Sequence, residues 1–182
     1  MVRLYLFAEG RTEQTFADTL LKPRLANFGV YLTGIMQIAK ARRKGKVHRG
    51  GGRSYLPMKA DIVRFLSQEK GPDVFFTTMI DLYALPEEFP GRDEADKLSH
   101  LPYERVACLE QAFGQDIFDS RFLPHIQLHE FETYLFCDPT CFKGKYDNCE
   151  KQIAALQKIA NQFDTPERIN DGPQTAPSKR II

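Results

Sequence analysis

The sequence has no CxxC pair, no GxxxxGK[ST] loop, no GxSxG elbow and no apolar run long enough to span a bilayer. The missing phosphate loop disfavours a P-loop ATPase, and Ser54 in Gly52-Arg53-Ser54-Tyr55 reads as a helix N-cap rather than a nucleophile. Cys137, Cys141 and Cys149, with His125 and His129, have spacings that fit no structural zinc site. Charge bias is absent too. Lys plus Arg number 25 against 24 acids, a net charge of +1, so only local clustering can point to nucleic acid. Met1–Phe7 is too short for a signal h-region and runs straight into Glu9. These absences predict a cytoplasmic protein with reduced cysteines and no membrane contact.

What is present is enough for one domain: 182 residues, 42% of them hydrophobic. Residues 2–8 alternate as a buried strand, and Thr12 is the expected N-cap of a helix that breaks near Pro23. Residues 30–39 form a second strand. A helix is expected from about Leu56. Val74–Ile80 is the most apolar strand and ends at Asp81. Residues 84–102 read as an exposed loop, Tyr103–Ile117 as an amphipathic helix and Phe122–Leu128 as a fourth strand despite Pro124, which suits an edge or a strand start. His129–Phe136 looks helical, and a last helix covers about 149–161. Strands alternating with helices predict an α/β fold with a mostly parallel four-stranded sheet flanked by helices.

In such sheets the functional crevice lies beyond the carboxyl ends of the strands. The first strand runs into Glu9, the third ends at Asp81, and the fourth runs into His129-Glu130-Phe131-Glu132. Three strands are therefore expected to bring carboxylates to one edge. Clustered carboxylates repel unless a cation neutralises them, and hard oxygen ligands favour Mg²⁺ or Mn²⁺. The competing reading is ordinary: acids after strands cap helices, and Glu13 is a first-turn carboxylate. Glu130 and Glu132 share a direction only if extended; Glu130 lies nearer the strand end.

A basic, glycine-rich loop follows the second strand. Lys40, Arg42, Arg43, Lys44 and Arg53 lie around Gly45, Gly50, Gly51 and Gly52. It is either a solvated loop or a track for a phosphate backbone; its expected position beside the acids suits a phosphodiester substrate.

The run Leu6-Phe7-Ala8-Glu9-Gly10-Arg11-Thr12-Glu13 resembles the opening of Toprim domains, and Asp81 resembles the first acid of their Asp-x-Asp motif. More of the chain resembles an uncharacterised bacterial family, domain of unknown function 4276. The runs that carry this are residues 9–13, 50–55, 78–83, 127–132 and Pro177-Ser178-Lys179-Arg180. The resemblance implies a single Toprim-like domain over residues 1–182, lacking a C-terminal part that family members usually have. It also implies a Mg²⁺-dependent phosphoryl-transfer site. Toprim domains serve topoisomerases, primases and nucleases, and stand-alone forms are often partnered with ATPases in anti-phage systems. Carried over, Glu9 is the general acid/base and Asp81 a metal ligand, with Glu130 or Glu132 adding a carboxylate. Tyr83 departs from the pattern: it stands where the second Asp belongs, and a neutral phenol does not replace that ligand.

The expected activity is a metal-dependent nuclease or phosphodiesterase. Lys40, Arg42, Arg43, Lys44 and Arg53 would hold nucleic acid, and Lys179 and Arg180 would add positive charge. The alternative is a non-catalytic subunit that binds an ATPase or nucleic acid.

Overall fold

The computed structural model describes residues 1–38, 54–169 and 175–181, with the backbone of residues 42–43 and 46–47. The chain divides into two compact units, Met1–Ile126 and Gln127–Ile182.

The first unit opens with β1 (Val2–Ala8), followed by one helical run, residues 11–26. That run is an α-turn segment α1 (Arg11–Phe16), a π-helical turn (Ala17–Leu21) and α2 (Lys22–Ala26). Pro23 sits in the first turn of α2, where a missing N–H is tolerated, so the helix continues where a break was expected. The N-cap is Gly10, not Thr12, and no side chain caps it. β2 (Val30–Gln37) pairs with β1 in parallel. The next segments are a short antiparallel pair, β3 (Arg42–Arg43) and β4 (Lys46–Val47). α3 (Tyr55–Gln68) begins after Ser54, which stands at the expected N-cap position. It leads to β5 (Val74–Asp81), on the other side of β1.

Residues 84–102 are not simply an exposed loop. They contain α4 (Arg92–Lys97), and they bury Phe89 and Ala95. Gly91 shows why they fold down. It has φ 75°, and a Cβ there would lie 2.6 Å from the Ala112 Cβ, so only glycine allows this approach to the following helix. That helix is α5 (Pro102–Ile117). The expected fourth strand is split in two, β6 (Phe122–Leu123) and β7 (Ile126–Gln127). Pro124 between them lacks the ladder N–H that one continuous strand requires.

Among the described residues the sheet is therefore five-stranded rather than four-stranded. Its order is β2-β1-β5-β6, with β7 also pairing with β5. The pairings of β1 with β2 and β5, and of β5 with β6, are all parallel, as expected for an α/β fold with flanking helices. β1 is central, so Tyr5, Leu6, Phe7 and Ala8 are all buried despite the alternating pattern. Tyr5 and Phe7 stack on Phe76 of β5, at 5.3 and 6.4 Å between centroids. Phe113 of α5 meets Tyr55, Phe89 and Phe122 edge-on. These contacts tie β1 to β5 and tie α5 to α3 and β6.

The second unit has 3₁₀ turns at Phe131–Phe136 and Pro139–Gly144, then α6 (Glu150–Ala160) and α7 (Pro177–Arg180). Its core is Phe136, Leu156 and Ile169, with Phe142, Ile159, Phe163 and Ile181 packed around them. Among the described residues, no helix is long and apolar enough to cross a membrane.

Candidate functional site

Two of the expected acidic residues meet at the carboxyl edge of the first unit. β1 and β5 run side by side with Ala8 beside Met79. The ladder continues past β1, with the Glu9 N–H donating to the Met79 carbonyl at 3.0 Å. Asp81 is the last residue of β5, and its N–H donates to Glu9 Oε2 at 3.0 Å. The Glu9 side chain thus closes the end of the neighbouring strand. Both residues are partly exposed at this edge.

Gly10 follows with extended backbone and starts the helix. Three residues later Glu13 is only 7% exposed, which sequence reading as a plain first-turn carboxylate did not anticipate. A Cβ on Gly10 would lie 3.1 Å from Glu13 Oε2, so the glycine leaves room for that carboxylate to fold back over the turn. The Gly-x-x-Glu spacing is the signal that could have found it, because it places the acid in the helix's first turn near the positive end of the dipole. Tyr83 lies in the 3₁₀ turn Leu82–Ala84 after β5 and is 42% exposed.

Glu130 and Glu132 belong to the second unit. Neither a helix nor a plain extended segment describes them. His129 adopts φ 62°, Glu130 is extended, and the 3₁₀ turn begins at Phe131 with Glu132 in its first turn. The Glu130 carboxylate accepts hydrogen bonds from the Ser178 N–H at 3.0 Å and the Ser178 hydroxyl at 3.1 Å. Ser178 is thus a partner of Glu130 that sequence reading missed, since the two lie far apart in the chain. Beside it, Arg180 Nε donates to the Thr175 carbonyl at 2.5 Å, and Lys179 is exposed. Of the basic loop, Lys40, Lys44 and Arg53 lie outside the described residues, and Arg42 and Arg43 enter only as the backbone of β3.

Among the described residues, no group of three or more His, Cys, Asp or Glu is placed to hold a metal ion. A cation caged wholly by protein therefore does not fit. The pair on β1 and β5 does suit Mg²⁺, which keeps several waters and takes one or two carboxylates, with substrate phosphate completing its shell. A carboxylate has about four acceptor positions, so the bond to the Asp81 N–H does not exhaust Glu9.

Comparison with curated proteins and with solved structures gives no match. A family match covers residues 8–182, a span that includes Glu9, Asp81, Glu130, Glu132 and the Pro177–Arg180 helix. The chain belongs to the family described as Domain of unknown function (DUF4276).

Proposed function

We propose that the chain is a Toprim-like domain that acts as a Mg²⁺-dependent nuclease or related phosphodiesterase on nucleic acid. The observation that supports this reading is the pairing of Glu9 and Asp81 at the ends of the two central strands. In this reading Asp81 would hold the cation beside Glu9. A bound divalent cation supplies Lewis-acid polarisation of a phosphate and lowers the pKa of an attacking water. Glu9, held at the end of β1 beside Asp81, would be the residue placed to accept a proton. Lys40, Arg42, Arg43, Lys44 and Arg53 hold the phosphate backbone by charge.

The second reading is a non-catalytic subunit that binds an ATPase or nucleic acid. It is favoured by Tyr83 in the second acid position and by the lack of a three-acid group among the described residues.

Isothermal titration of Mg²⁺ and Mn²⁺ into wild type and Asp81→Asn, without and with an oligonucleotide, tests the first reading. Binding in wild type that is lost in Asp81→Asn, with divalent-dependent cleavage lost in Glu9→Gln, is the expected result. No metal binding in either condition, or cleavage that survives both substitutions, overturns it in favour of the second reading.

A further inference from the structure

A cavity of about 510 Å³ lies along the first unit, between the helical run 11–26 and β2. One wall is a single helix face, Arg11, Gln14, Thr15, Asp18, Thr19 and Lys22. The other wall is the four consecutive residues 32–35 of β2. The Gln14 side chain on the helix wall reaches the Ile35 carbonyl, so the cavity opens onto the main-chain edge of the strand. β2 is the terminal strand, with β1 its one neighbour among the described strands.

β2 reads VYLTGIMQ and carries no charge and no proline. Charges and prolines are two of the devices that blunt edge strands, and this edge has neither. Two carbonyls of β2 are instead covered by side-chain donors. Gln14 Nε2 donates to the Ile35 carbonyl at 3.4 Å, and the Thr33 hydroxyl donates to the Tyr31 carbonyl at 3.1 Å. The first bond is at the weak end of the range, and a main-chain N–H would replace it readily.

Both walls are also irregular where they face the cavity. The helix widens into the π turn that holds Asp18 and Thr19. The strand has its register shift at Thr33, since Leu4 pairs with Leu32 and Tyr5 with Gly34. π turns and β-bulges both recur at functional sites.

We propose that this groove binds an extended, acidic peptide segment of a partner protein, which adds as a strand along β2. This inference does not rest on the proposed metal site. The main-chain groups of residues 32–35 that do not face β1 supply the hydrogen bonds, over about 13 Å at about 3.3 Å per residue. The helix face supplies the specificity. Asp18 already pairs with Lys22 at 3.0 Å, while Arg11 is exposed and has no ion pair among the described residues. The lining is therefore net positive at its Arg11 end and selects a carboxylate there. The same census disfavours nucleic acid. One uncommitted cation and no aromatic side chain in the lining give neither a phosphate track nor a stacking platform.

The probe is an acetylated hexapeptide of alternating threonine and valine closed by two aspartates, titrated into the ¹⁵N-labelled chain and followed by amide shifts. Three controls accompany it: the same peptide closed by two lysines, a copy N-methylated at alternate nitrogens, and a short oligodeoxythymidine. Saturable shifts at residues 32–35, with a dissociation constant below about 1 mM, are expected for the acidic peptide. N-methylation should weaken binding about tenfold or more, because it removes main-chain donors without touching the protein. Arg11→Glu should weaken the acidic peptide by a similar factor and favour the lysine peptide. Absence of shifts at 32–35 up to several millimolar overturns the proposal. So does equal binding of the N-methylated copy, and so does oligonucleotide binding there without peptide binding.

Discussion

Glu9 is given two separable tasks, and paired substitutions pull them apart. Its Oε2 accepts the Asp81 N–H at 3.0 Å. Glu9→Ala removes that acceptor and leaves the last N–H of a central strand without it. Hydrogen bonds to a charged acceptor contribute about 1.5–3 kcal/mol, and an orphaned donor costs about 1–3 kcal/mol. Because the edge is partly exposed, water recovers part of this, and we expect a loss of about 2 kcal/mol. For a chain of this size that is about 4–8 °C in Tm. Glu9→Gln keeps an acceptor oxygen of the same reach and loses only the charge assistance, so about 1 kcal/mol or less is expected. Urea unfolding followed by circular dichroism reads both values. Divalent-metal affinity should instead fall alike in the two variants, because each removes the negative charge. An alanine variant as stable as the glutamine variant would refute the strand-closing role. Metal affinity preserved in Glu9→Gln would refute its charge role and leave the hydrogen bond standing.

Three further predictions concern the supports of the fold. Arg121 donates to the Leu66 and Glu69 carbonyls at 2.9 and 2.8 Å, pairs with Asp119 at 2.7 Å and lies over the Phe76 ring. Arg121→Met should cost about 3 kcal/mol in urea unfolding, because several partners lose their donor at once. The Arg121 hydrogen bonds hold the Asp119 carboxyl below the usual carboxylate range. A depressed folded value means that this stabilisation is present above the unfolded value of about 3.9 and is lost as pH falls through the folded one. The stability gap between wild type and Asp119→Asn should therefore narrow below about pH 4, and a gap constant down to pH 2 would contradict the assignment. In the second unit, Glu130→Ala should speed amide exchange of Ser178 about tenfold, and Glu130 and Ser178 should couple by about 1 kcal/mol in a double-mutant cycle.

Much of the architecture is legible in the chain because period and punctuation are local properties. β1, β2, β5, α3, α5 and α6 follow from apolar spacing, and the parallel sheet follows from their alternation. What failed locally failed for tertiary reasons. The Pro- and charge-rich stretch 84–102 reads as loop, but Gly91 lets it pack on α5. Pro23 reads as a helix break, but the π turn before it and its own first-turn position keep the helix going.

For the site, the sequence by itself placed Glu9 and Asp81 after strands, and the rule of carboxyl ends put them at one edge. That much needs only strand direction, which alternation with helices dictates. Only the tertiary structure decided that the Glu9 side chain bonds the Asp81 backbone, because that depends on β1 and β5 being neighbours in a particular register. It also decided that Glu13 is buried, that Glu130 is held by Ser178, and that the β2 edge lines a groove. Each of these joins residues whose meeting is set by packing and strand order, and no local pattern encodes strand order.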